Sequence, residues 1–164
     1  MRTKADAAKI VELLKEEYPS HICSLDYENA WQLMVSVRLS AQCTDARVNQ
    51  ITPILFDKYP TLKDLAAAEP GDIEQIVKPC GLGHSKARDI SAAARMVESE
   101  YGGHLPDTME ELLKLPGVGR KSANLILGDI FHVPGVVIAD THCIRIANRL
   151  GLVKSKDPRK VEDT

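Results

Sequence analysis

The stretch Leu115-Pro116-Gly117-Val118-Gly119-Arg120-Lys121-Ser122-Ala123 limits what the rest of this chain can be. Ahead of it, Pro106 to Leu113 has the pattern of a short helix, with Asp107 or Thr108 as N-cap and Glu110 and Glu111 in the first turn. Behind it, Lys121 to Ile130 reads as a second helix with Ala123, Leu125, Ile126 and Ile130 as its apolar set. Pro116 is expected to stop the first helix. Gly117 and Gly119 permit positive φ and leave no side chain between backbone and ligand. The N–H groups of such a hairpin, with the start of the next helix, form an anion site that suits a phosphate. Contact through Gly117, Val118, Gly119 and Arg120 would position a nucleic acid without reading its sequence.

Lys121 adds chemistry. It falls in the first turn of the second helix, beside Arg120. The positive helix end and the neighbouring cation both disfavour an ammonium, so its pKa is expected to fall. A neutral amine is a nucleophile and can form a Schiff base. Service as one more phosphate-binding cation is the alternative these residues leave open. Asp140 follows the apolar run Val136-Val137-Ile138 and opens a helix through Ile144, Ala147 and Leu150. By position it is an N-cap. A carboxylate emerging there could also steady positive charge developing on a sugar, or take the proton that Lys121 must lose.

The 164 residues suffice for one large or two small domains, and 44% are apolar. Aromatic residues make up only 4%, so Leu, Ile, Val and Ala must fill the core. A net charge of −2 carries no global signature of nucleic-acid binding, so any such face has to be a local patch. Lys78, His84, Lys86, Arg88, Lys114, Arg120 and Lys121 are its candidates, with an ordinary solvated surface as the other explanation. Cys23, Cys43, Cys80 and Cys143 contain no C-x-x-C pair, which argues against a zinc ribbon or a local cluster motif. No signal peptide, transit peptide or membrane span is visible.

Every periodic segment has the helical spacing. Helices are expected from Thr3 to Tyr18, from Asp26 or Tyr27 to Leu39, from Thr44 or Asp45 to Tyr59, and from Thr61 to Ala68. Further ones run from Ile73 to Val77 behind an Asp72 cap and from Ser85 to Tyr101, and another can begin after Asp157-Pro158. Val136-Val137-Ile138 is too short to build a sheet, so the class is all-α. The tyrosines and Trp31 are assigned to the core. Gly81-Leu82-Gly83-His84-Ser85-Lys86-Ala87 parallels the hairpin: a Gly-apolar-Gly turn runs into a helix with basic residues in its first turn. Repeated helix-start chemistry would explain this. A second backbone contact with DNA, through Leu82, Gly83, His84 and Lys86, is the reading favoured here.

Leu115-Pro116-Gly117-Val118-Gly119-Arg120-Lys121 followed by Asp140-Thr141-His142 resembles the endonuclease III family of helix-hairpin-helix DNA glycosylases. Leu39-Ser40-Ala41-Gln42-Cys43-Thr44-Asp45 and Gly81-Leu82 to Ser85-Lys86-Ala87 match that family in the same order, so the resemblance covers nearly the whole chain. It implies a multi-helix glycosylase fold, with a central domain over 22–133 that carries the hairpin at about 108–130. A second helical domain, incomplete here, would come from 1–21 plus 134–164. The implied function is base-excision repair of double-stranded DNA holding a damaged base, chiefly an oxidised pyrimidine, or an abasic site. Lys121 and Asp140 match the catalytic positions, Lys121 expelling the base and nicking the strand by β-elimination through its Schiff base. Gln42 matches the residue that enters the space of an extruded nucleotide, and Leu82 matches an apolar wedge. Their plainer roles are a helix-end surface residue and a packed loop tip. His142 receives no catalytic role.

A glycosylase of different lesion specificity, for pyrimidine dimers or mismatches, and a non-catalytic DNA-binding hairpin module are the alternatives. Relatives run on past the position of Thr164 into a four-cysteine loop, so a 4Fe–4S cluster is implied only if the natural chain continues there. Where relatives often carry Val, Ala139 precedes Asp140. A monomer is expected, in the cytoplasm with nucleoid DNA if bacterial and nuclear or organellar otherwise. The helices from Thr3 and Asp140 are expected to expose an apolar patch.

Overall fold

A buried helix, α2 (Ala30–Ser40), lies at the centre of the larger of two compact units, Ser24–Pro134. The computed structural model describes residues 2–19 and 23–163. Among these the regular elements are all helical, with no strand. Leu33, Met34 and Val37 form the expected inner face of α2, but Gln32, Val35, Ser36 and Leu39 are buried too. A helix enclosed on every side has little room for an amphipathic stripe. It starts later than the sequence pattern suggests. Asn29 Oδ1 accepts from the Gln32 N–H at 3.1 Å, while the Asp26 N–H is held in the preceding loop by Asn49 Oδ1 at 3.0 Å.

Around it stand α3 (Asp45–Lys58), α4 (Leu62–Ala67), α5 (Pro70–Val77), α6 (Gly83–Tyr101), α7 (Met109–Leu112) and α8 (Arg120–Asp129). Threonines at 44, 61 and 108 cap α3, α4 and α7 through their side chains. α5 begins at Pro70 rather than behind Asp72, since proline's fixed φ and missing N–H suit the first helical position. A short 3-10 turn, Lys78–Cys80, follows it. α6 buries Ala87, Ile90, Ala94 and Val97 as the spacing predicts, and Gly102 ends it at φ +61°. Among the described residues no aromatic side chain belongs to the buried core, which is mainly aliphatic. Trp31 instead meets Phe56 edge-on at 5.2 Å, and Tyr18, expected inside, is 64% exposed.

The smaller unit joins Met1–Cys23 to Gly135–Thr164. Its helices are α1 (Lys4–Glu17), α9 (Thr141–Arg149) and α10 (Pro158–Glu162). Thr3 and Asp6 close a reciprocal capping box on α1. The Arg2 N–H donates to Gly151 O at 2.9 Å and its Nε to Leu150 O at 3.0 Å, so the chain start is tied to the end of α9. Ala139, Val153 and Val161 form a small core, with Cys143, Ile144 and Ala147 packed against it. Neither α1 nor α9 has a fully buried residue. Val11, Leu13, Leu14 and Ile146 remain 43–54% exposed.

Candidate nucleic-acid interface

α7 ends at Leu112, well before Pro116. The chain then tightens by itself: Lys114 N–H donates to Glu111 O, Leu115 N–H to Leu112 O and Val118 N–H to Leu115 O, each at 3.1 Å. The stop expected from Pro116 is thus made earlier by these short-range bonds. Gly117 has φ +78°, and a Cβ there would lie 2.7 Å from Arg38 Cδ and Nε and 3.0 Å from Asp89 Cβ. Gly119 differs. Its φ of −97° is ordinary for any residue, and a Cβ would meet nothing within 4 Å. Only Gly117 therefore uses the left-handed region expected of both. The Val118 N–H is committed inside the turn, so the backbone donors facing outward are fewer than the motif alone suggests.

Gly119 is the N-cap of α8 and supplies no side-chain cap. Arg120 is half-buried and Lys121 exposed, both in the first turn. The second turn repeats the device. Gly81 has φ +74° and Leu82 φ +51°, and Leu82 caps α6 without any side-chain bond. α1, α2, α3 and α9 begin with a capping side chain, whereas α5, like α6 and α8, does not. Neither Leu82 nor Gly119 supplies a side-chain cap to the helix it opens. Leu82 projects with 57% of its surface exposed. Gly83 packs on the backbone beneath, where a Cβ would come 3.0 Å from Lys78 Cα. Gln42, also exposed, has φ +55°.

Lys86 departs from expectation. It is 0% exposed, and its ammonium donates to Leu39 O and Cys80 O at 2.8 Å each. Burial pushes its pKa down. It presents no cation to a ligand and instead braces the turn that carries Leu82. Arg38, which sequence reasoning passed over, has a related role. Its Nη2 lies 2.7 Å from Asp89 Oδ2 and 3.3 Å from Ser85 Oγ, with only about a sixth of each charged side chain exposed. The last turn of α2 thus holds the Gly117 hairpin through Arg38, the Leu82 turn through Leu39 O, and Gln42 as its own continuation. No local signal marks the Lys86–Leu39 and Arg38–Asp89 contacts, whose partners are 47 and 51 residues apart.

Basic side chains near these turns have acidic neighbours: His84 with Glu74 at 3.0 Å, Lys114 with Glu111 at 2.5 Å and Arg88 with Asp89 at 3.3 Å. The Lys114 side chain holds the Glu111 carboxyl below the usual carboxylate range. In each pair the basic side chain is the more exposed partner.

In the smaller unit, Asp140 is the expected N-cap of α9. Its Oδ1 accepts from the Cys143 N–H at 2.8 Å, and the residue is half-buried behind buried Ala139. Burial, then the Asp140 charge, push the Cys143 thiol up. His142 is exposed and contacts Arg145 at 2.9 Å.

No three His, Cys, Asp or Glu side chains among the described residues converge to hold a metal ion. A 4Fe–4S cluster needs four thiolates, so the residues present do not fit it, and no step below runs through one. Nor is any described helix long and apolar enough to cross a membrane.

Residues 35–164 match the family model described as HhH-GPD superfamily base excision DNA repair protein. Endonuclease III of Synechocystis sp. is 45% identical over 97% of this chain and 73% of its own length. Endonuclease III of Bacillus subtilis is 41% identical over 90% of this chain and 67% of its own. A solved structure of a trapped endonuclease III–DNA covalent intermediate superposes with a TM-score of 0.91 at 39% identity, covering 99% of this chain and 76% of that one. A thermostable thymine-DNA glycosylase, at 19% identity and TM-score 0.83, shares the fold.

Proposed function

This chain belongs to the HhH-GPD superfamily of base excision DNA repair proteins, and from that premise we propose that Lys121 and Asp140 carry out base removal and strand cleavage on duplex DNA. The protein is a DNA glycosylase with abasic-site lyase activity. One observation carries the residue assignment. α8 opens at a glycine with no side-chain cap and sets exposed Lys121 in its first turn. The positive end of a helix attracts a phosphate while an amine in its first turn meets the sugar.

The hairpin and the Leu82 turn grip the backbone, Leu82 wedges into the stack and Gln42 fills the space of the flipped nucleotide. Lys121 Nζ bonds to C1′ as the glycosidic bond breaks, and the base leaves with that electron pair. Asp140 steadies the positive charge on the sugar and accepts the proton that Nζ sheds. Its hydrogen bond from the Cys143 N–H fixes the carboxylate's orientation. Ring opening gives the Schiff base. Loss of a C2′ proton then breaks the C3′–O bond, and the phosphate departs on the 3′ side. The base is an oxidised pyrimidine, and the protein acts as a monomer.

Borohydride reduction in the presence of a duplex with one abasic site tests this. A covalent adduct is expected with the wild type, and Lys121→Gln should lose adduct and nicking while keeping DNA affinity. Nicking that survives in Lys121→Gln would remove Lys121 from the role.

A further inference from the structure

Two thiols lie between the turns that carry Gln42 and Leu82, and the chemistry above makes no use of them. Cys80 ends the 3-10 turn, 2% exposed, two residues before Leu82. Cys43 directly follows Gln42 and is half-buried, so a small reagent can reach it. Leu39 O and Cys80 O converge on one ammonium, which sets the two turns side by side, and the Cys43 thiol is a close enough neighbour to raise the Cys80 thiol. Both turns are secured by their own backbone bonds, Cys43 N–H to Ser40 O and Gly81 N–H to Lys78 O, each at 3.0 Å. Lys86 binds Leu39 O and Cys80 O together beneath them. The two turns are thus fixed beside each other, as a disulfide between them requires.

We propose that Cys43 and Cys80 form a reversible disulfide that locks the Gln42 turn to the Leu82 turn and weakens binding to DNA with an open site. The oxidant is a low-molecular-weight disulfide. The Cys43 thiolate attacks one of its sulfurs and expels a thiol. The Cys80 thiolate then attacks Cys43 Sγ and expels the second thiol, so two protein thiols and one small disulfide become one protein disulfide and two small thiols. Burial and the neighbouring Cys43 raise Cys80 to about 11, while the Lys86 ammonium favours its thiolate. The second step is accordingly the slow one. A linked pair of turns cannot part as a wedge and a gap-filling side chain must when they enter the stack. This last clause rests on the roles given to Gln42 and Leu82 above.

The test incubates the whole chain with oxidised glutathione, blocks remaining thiols, and maps tryptic peptides without reduction. A linked pair, Leu39–Arg47 with Asp64–Lys86, is expected, with Cys23 and Cys143 still free. It should vanish in Cys43→Ser and in Cys80→Ala. Absence of that pair in the wild type, or linkage through Cys23 or Cys143 instead, overturns the disulfide. Binding to a duplex with a tetrahydrofuran abasic-site analogue should fall ~5- to 50-fold on oxidation, recover with dithiothreitol, and stay unchanged in Cys80→Ala. A linked protein that binds as tightly as the reduced one overturns the coupling. If the reduced wild type does not bind the duplex, the DNA roles of the turns fail and the coupling falls with them, while the peptide map still decides the disulfide.

Discussion

Two glycines two residues apart answer to different pressures. At Gly117 a methyl group would enter the space of Arg38 and Asp89 at a φ of +78°, so Gly117→Ala should lower stability by ~1–3 kcal/mol and loosen the Arg38–Asp89 pair. At Gly119 there is room and no strain, so Gly119→Ala should stay within ~0.5 kcal/mol of wild type. Urea denaturation measures both. If Gly119 serves to let a phosphate approach α8, its alanine variant will lose DNA affinity with its stability intact. Asp140 can be divided in the same way. Asparagine keeps the acceptor for the Cys143 N–H and removes the charge. Asp140→Asn should therefore hold its melting temperature and lose base excision, whereas Asp140→Ala should lose both, with ~1 kcal/mol of capping energy.

Helices divide into those that hold the core and those that only border it. α2 is enclosed, and truncating Leu33, at 0% exposure, leaves a cavity that its neighbours cannot fill. Leu33→Ala should cost ~2–5 kcal/mol. On α1, Leu13 is 54% exposed, so Leu13→Gln should change stability by less than ~0.5 kcal/mol while reducing the binding of a dye that reports apolar surface. A large loss of stability in Leu13→Gln would mean that this face packs against something in solution. The Thr and Asp caps of α3, α4, α7 and α9 were legible as single letters, because capping acts over three residues. α2 starts later than Asp26 or Tyr27 suggests because Asn29, equally good as a cap by type, accepts from the Gln32 N–H.

For the whole molecule, a net charge of −2 provides no long-range pull on DNA. Any attraction has to be local, through the helix starts of α6 and α8 and the basic side chains near them proposed above as the DNA contacts. Two or three phosphate contacts would give a ~10- to 40-fold loss of affinity between 50 and 200 mM salt. Titrations by fluorescence anisotropy measure this, and a loss of 10³-fold would show a basic face wider than these turns.

The sequence by itself determined the helical class, most helix ends, the aliphatic core and the two Gly-apolar-Gly turns, because periodicity, caps and turn chemistry act within about one helical turn. It also placed Lys121 in the first turn of α8 and Asp140 at the N-cap of α9, positions that follow from neighbours a few residues away. Only the tertiary structure decided which lysine is a surface cation. Lys86 shares its pattern with Lys121, but packing buries it on two carbonyls, and burial depends on what stands opposite rather than on the residues beside it. The clasp of Arg38 on Asp89 behind Gly117, and the approach of Cys43 to Cys80, are likewise contacts across dozens of residues that no local pattern records.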